Sequence, residues 1–120
     1  MKSAWSLKKP LGLKRGDKRY KRYLRQLKKN GFCDPETWSL DVVIAEFILP
    51  RLIRFKEISK GYPNGLLTEK KWISILDKMI FSFEYVLNTE EGDLIPDKLG
   101  DEKFEEGMVL FAEYFRSLWW

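Results

Sequence analysis

The stretch W-S-L-D-V-V-I-A-E-F-I-L-P-R-L-I-R-F-K-E-I, residues 38–58, decides the fold. It is the longest apolar-periodic run in the chain and has the length of a helix rather than a strand. At about 100° per residue, Leu40, Ile44, Phe47, Ile48, Leu52, Phe55 and Ile58 share one broad face, while Glu46, Pro50, Arg54 and Glu57 lie opposite. Pro50 removes the donor to the Glu46 carbonyl. It sits on the polar side, so the helix is expected to bend there rather than stop. Asp41 projects into the apolar arc and is therefore expected to be a structural buried acid, paired with a cation or a hydrogen-bond donor. Asp34 followed by Pro35 and Glu36 has the grammar of a helix start, with Ser39 as a second starting point.

Towards the C-terminus, residues 59–65 (S-K-G-Y-P-N-G) form a turn cluster. Thr68 is then placed to cap a third helix, with Leu67 and Trp72 at hydrophobic-staple spacing. Trp72, Ile75, Leu76, Met79, Ile80, Phe83, Val86 and Leu87 give that helix a wide apolar face up to Asn88. Residues 89–100 read as a long acidic loop. Asp101 is expected to cap a fourth helix, whose stripe is Phe104, Met108, Phe111, Phe115 and Leu118. Gly107 inside this helix costs about 1 kcal/mol against alanine, which points to a close helix crossing. Trp38, Trp72, Phe83, Phe111 and Phe115 read as core.

Towards the N-terminus, Asp17 is placed to cap a helix running to about Lys29, with Asn30 and Gly31 as its left-handed stop. Tyr20, Tyr23, Leu24 and Leu27 form one apolar stripe. Lys18, Arg19, Lys21, Arg22, Arg25, Lys28 and Lys29 cover the rest of the cylinder, a candidate phosphate-binding surface. Residues 1–16 mix Pro10, Gly12 and Gly16 with lysines and read as an irregular basic arm. The organisation expected is that arm followed by a single helical domain over 17–120: three long helices and one shorter basic helix in a compact all-α bundle, without strands or repeats.

The net charge of +4 over 120 residues conceals a division. Residues 1–30 carry twelve Lys or Arg and one acid, a balance of +11, and the remaining ninety carry −7. Such polarity suits an anionic partner, or an arm that docks on an acidic surface of its own kind. Trp5, Trp119 and Trp120 at the two ends are candidates for an oligomer interface, so a homo-oligomer is expected.

The chain contains no histidine and a single cysteine, Cys33. That removes Ser-His and Cys-His nucleophile systems, His-bearing zinc sites and an internal disulfide. No glycine-rich phosphate loop is present. The remaining enzymatic option is a carboxylate metal site from Asp41, Glu46, Asp77 and Glu84, a metal-dependent hydrolase, and it lacks tight acidic repeats at one-turn spacing. No catalytic residue, cofactor or metal is expected. Arg51, Arg54 and Lys56, with Tyr62 as a stacking plate, form a candidate site for an anionic, nucleotide-like ligand. The bland alternative is an i,i+3 bridge from Arg54 to Glu57. No signal peptide or membrane span is read, and the expected location is cytoplasmic.

The segments W-S-L-D (38–41), L-P-R-L (49–52), G-Y-P (61–63), W-I-S-I-L-D-K-M-I (72–80) with F-E-Y, and E-E-G-M-V-L-F-A-E-Y-F (105–115) leading into L-W-W resemble a group of small hypothetical proteins of tailed bacteriophages and prophages. The resemblance covers about residues 32–120 and leaves the basic arm unmatched. It implies a viral accessory protein in the host cytoplasm. Three functions are therefore expected, in this order: sequestration of an anionic nucleotide-like ligand, plausibly a host antiviral defence signal; DNA or RNA binding through the basic arm and helix; inhibition or assembly by binding another protein.

Overall fold

The computed structural model describes residues 16, 18–63, 65, 68–90, 92 and 94–119. The arm with Trp5, the Asp17 cap, the Leu67 half of the staple and Trp120 lie outside the described residues. Among those described, the protein is all-α, with four α-helices, α1 (Lys18–Asn30), α2 (Leu40–Ile58), α3 (Glu69–Glu90) and α4 (Lys98–Tyr114), and no strand. Short 3-10 turns occupy Asp34–Thr37 and Phe115–Ser117. Contacts divide the chain inside α2, into Met1–Phe47 and Ile48–Trp120.

In the N-terminal unit, α1 stops where Gly31 takes a φ of 85°, a conformation that glycine reaches without a Cβ penalty. The Gly31 N–H closes the last turn on the Leu27 carbonyl at 3.0 Å. Its buried residues are Tyr23, Cys33, Glu36, Val42 and Ala45. The buried acid is thus Glu36, 3% exposed, and not Asp41, which is exposed. Asp41 stands in the first turn of α2, where the partial positive charge of the helix N-terminus favours a carboxylate in water. Glu36 instead accepts the Cys33 N–H at 2.7 Å, satisfying a buried donor at the start of its turn.

The α2 face also differs from expectation. Leu52 is buried as expected, but Val42 and Ala45 are buried too, whereas Leu40 and Ile44 are about half exposed. Apolar residues surround α2 on both sides, so hydrophobic periodicity does not single out one arc. Trp38, expected in the core, is 71% exposed. Pro50 is exposed and α2 continues through it.

The C-terminal unit is built on the antiparallel pair α3 and α4. Thr68 Oγ1 accepts the Lys71 N–H at 3.1 Å, which caps α3 as its sequence implies. Helix α4 starts one turn earlier than expected: Asp97, not Asp101, is its cap and accepts the Gly100 N–H at 2.6 Å. Asp101 lies within the first turn and accepts the Tyr85 hydroxyl at 2.7 Å. Tyr85 accepts in turn from the Asp97 N–H at 3.3 Å, so one phenol on α3 fixes the start of α4. An edge-to-face series continues along the pair, Phe83 on Phe111 at 5.1 Å and Trp72 on Tyr114 at 5.6 Å. Phe115, expected in the core, is exposed and extends this series outward from Phe111 at 5.4 Å.

At the middle of the pair Gly107 is buried, and a Cβ there would collide with Ser82 Oγ and the Lys78 carbonyl. The fully buried Ser82 hydroxyl donates across the crossing to the Phe104 carbonyl at 2.7 Å. The close crossing implied by Gly107 is therefore present. In an unobstructed helix, Gly→Ala stabilises by about 1 kcal/mol. Gly107→Ala is expected to reverse that sign and destabilise by about 1–3 kcal/mol, because backbone is the obstacle. Removing Ser82 Oγ as well, in Gly107→Ala/Ser82→Ala, leaves the Lys78 carbonyl in place and should not restore the wild-type stability. Urea midpoints at constant m-value measure both variants.

Candidate functional site

Helix α1 contains no acid and seven cations in thirteen residues. Lys18, Arg19, Lys21, Arg22, Arg25, Lys28 and Lys29 are all exposed, and Tyr23 alone is buried. At about 100° per residue, six of the seven cations (all but Arg19) fall on an arc of roughly 120°, opposite the stripe of Tyr20, Tyr23, Leu24 and Leu27. The surface is consequently one cationic strip, with Arg19 to one side of it. Arg22 is held down on the buried ring: its guanidinium lies 4.9 Å from the Tyr23 centroid and donates to the Tyr23 hydroxyl at 3.0 Å. Gln26 anchors the helix to the following turn. Its amide nitrogen donates to Asp34 Oδ2 at 2.9 Å, and its oxygen accepts the Asp34 N–H at 2.7 Å.

This charge works against the helix. Like charges stand at i,i+4 in Lys18–Arg22, Lys21–Arg25 and Arg25–Lys29, and at i,i+3 in four further pairs. Each such pair costs roughly 0.2–0.5 kcal/mol. Lys18, Arg19 and Lys21 also stand in the turn where the helix dipole disfavours cations. A face selected only for solubility would interleave acids with these residues.

The residues expected to hold a small anion are distributed differently. Lys56 Nζ lies 2.6 Å from Asp77 Oδ1, and Arg54 lies 3.8 Å from Glu57, the i,i+3 bridge foreseen as the bland alternative. Arg51 is exposed on α2. Tyr62 alone of the four lines a cleft, of about 560 Å³, together with Lys60, Gly61, Pro63, Trp72, Ser117 and Trp119. Sequence reasoning missed Lys60 and Ser117, which no periodicity or motif marks. A smaller groove by Asp77, Phe81 and Lys103, of about 340 Å³, carries its own compensating pair, Lys78 to Glu106 at 2.6 Å. Among the described residues no group of three or more His, Cys, Asp or Glu side chains could hold a metal ion. No helix among them is long and apolar enough to cross a membrane.

Comparison with family models, curated proteins and solved structures finds no match.

Cys33 is buried beside Glu36, and its thiol is pushed up from 9.0 to about 11, chiefly by burial and then by the Glu36 carboxylate. Tyr85 is also raised, first by donating to the Asp101 carboxylate and then by burial. Both groups hold their protons more tightly folded than unfolded. The support from Cys33 is complete below about pH 9 and is lost as pH climbs through about 11, and that from Tyr85 is likewise lost on the alkaline side as its raised phenol ionises. Denaturant titrations should therefore show stability flat in these groups near neutrality and falling over that alkaline window. At pH 8, a thiol reagent should label Cys33 slowly in the native protein and rapidly in denaturant.

Proposed function

We propose that this protein is a non-enzymatic nucleic-acid-binding protein that engages the phosphate backbone through α1. One observation carries the reading: an ordered, acid-free helix presents six cations on a single exposed strip despite the repulsion among them. A polyanion relieves that repulsion on binding and releases its own counterions. Gln26, one of two amide side chains of α1 suited to an adenine edge, is already held by Asp34. Contacts to backbone phosphates carry no sequence information, so this mode of binding is sequence-independent. The viral accessory role implied by resemblance is part of the same proposal. Sequestration of a small anion by Arg51, Arg54 and Lys56 ranks below it, because Arg54 and Lys56 already face carboxylates.

Arg25 has four cationic neighbours at one-turn spacing, Lys21, Arg22, Lys28 and Lys29. Arg25→Glu turns all four repulsions into attractions and is expected to stabilise the protein by roughly 1 kcal/mol. Its affinity for nucleic acid should nevertheless fall, roughly tenfold in 50 mM salt. The triple variant Lys21→Glu/Arg25→Glu/Lys28→Glu should not bind. Fluorescence anisotropy on duplex and single-stranded oligonucleotides of unrelated sequence should give a wild-type slope of log K against log salt between about −3 and −6. A slope near zero, or Arg25→Glu binding as wild type, overturns the reading and leaves a solvated basic face.

A further inference from the structure

We propose that the cleft of the C-terminal unit is a stacking site for an unpaired nucleobase that carries a phosphate. The argument begins with its aromatic lining. Trp72, 2% exposed, forms a rigid inner wall because Tyr114 braces its ring edge-on at 5.6 Å. Tyr62 and Trp119 complete the lining, and both rings are exposed, Trp119 by 77%. The backbone under Trp119 is hydrogen-bonded. Its N–H donates to the Ser117 carbonyl at 2.9 Å, and the Leu118 N–H donates to the Phe115 carbonyl at 3.2 Å. An indole held in water on a hydrogen-bonded turn, beside a second exposed ring, is a surface prepared for a flat partner.

The lining also sets the charge of that partner. Among the described residues that line it, Lys60 is the only charged one, so the described lining offers an anion one cation. Ser117 adds a hydroxyl that donates to a phosphate oxygen. Lys56, Lys78 and Arg54 of the same unit face carboxylates, whereas Lys60 lines the cleft. The volume, about 560 Å³, lies in the range of roughly 300–1,000 Å³ typical of small-molecule sites. One side is open to solvent, so a base can enter while its phosphate stays hydrated or continues into a strand. A purely apolar ligand would leave Lys60 and Ser117 without a role, and a bare phosphate would leave the rings uncovered. The shared chemistry of a free nucleoside monophosphate and an unpaired nucleotide in a single strand satisfies both. The cleft lies wholly in the C-terminal unit, and its proposal does not depend on α1.

The probe is 2-aminopurine, presented as the free ribonucleoside monophosphate, within single-stranded oligothymidine, and within a duplex, and followed by its own fluorescence. Quenching is expected with the free nucleotide, the single strand or both, and the pair of results identifies the source. The duplex, whose bases are already stacked, should be quenched least. Trp119→Ala and Tyr62→Ala should each weaken binding roughly fivefold to a hundredfold. Lys60→Glu should weaken the monophosphate but not the 2-aminopurine nucleoside. These three side chains are exposed, so circular dichroism is expected to be unchanged in each variant. Lys21→Glu/Arg25→Glu/Lys28→Glu should leave binding of the free monophosphate intact, which separates failure of this site from failure of α1. Quenching that is equal in wild type, Trp119→Ala and Tyr62→Ala overturns the proposal. So does a concentration-dependent dimer in sedimentation that Trp119→Ala abolishes, because the indole is then covered by a second copy.

Discussion

The absence of a side chain at Gly107 is the constraint on which the C-terminal unit depends. The Lys78 carbonyl and Ser82 Oγ occupy the space where a Cβ would stand, so α3 and α4 approach as closely as two backbones allow. Such an approach exposes the carbonyls of one helix to the polar groups of the other, and Ser82 uses this by donating to Phe104. Fixing the separation at one point determines which side chains meet on either side of it. Towards the start of α4, Tyr85 reaches Asp101 and the Asp97 N–H; towards its end, Phe83 and Trp72 meet Phe111 and Tyr114 edge-on. The position of Trp72, and with it the inner wall of the cleft, follows from a contact some distance along the helix pair.

The N-terminal unit obeys a different logic. Its basic helix gains little from its own sequence: the first turn opposes the dipole, like charges face one another along the strip, and one side chain is buried. What holds it is polar and specific. Gln26 makes a two-point contact with Asp34, and the turn that carries Asp34 is secured by Glu36 on the Cys33 N–H. A buried carboxylate beside a buried thiol also accounts for the reluctance of Cys33 to ionise. Stability here is local and modest, and the self-repulsion is the part that an anionic partner removes.

The helices were legible in sequence because their signals are covalent or strictly periodic. Thr68 at the start of α3, Gly31 after α1 and the lone Gly107 inside α4 each have one physical interpretation, and the structure has each where expected. Signals with two interpretations misled. Helix α2 is apolar around its circumference, so the arc containing Leu40 and Ile44 looked as buried as the one containing Val42 and Ala45. Asp41 was assigned to the core by that same arc, while Glu36, in a turn too short to show periodicity, is the acid that is buried. Asp97 and Asp101 are one helical turn apart and both fit a cap; the Tyr85 hydroxyl, a tertiary partner invisible in local sequence, engages both. Residue type places Trp38 inside, yet type constrains average burial and not any single aromatic; the stripe of α4 places Phe115 inside, yet the α-helix ends at Tyr114 and Phe115 opens a 3-10 turn that breaks the period.

The candidate sites illustrate the same difference at the level of charge. A cation is available to a ligand only if no carboxylate of the protein has engaged it first, and sequence shows cations without showing their partners. Arg54 and Lys56 looked as promising as any residue of α1, yet Glu57 and Asp77 stand beside them. Across the C-terminal unit acids outnumber bases, so a carboxylate within reach is the expected condition of a lysine there. Helix α1 differs in kind, since it has no acid of its own and presents its cations to water on one arc. Lys60 is the one charged residue beside aromatic rings in the described lining of the cleft. The two surfaces therefore call for different anions: a charge-dense polymer on α1, where many weak contacts add along a strip, and a flat, singly anchored group in the cleft, where stacking supplies what one charge cannot.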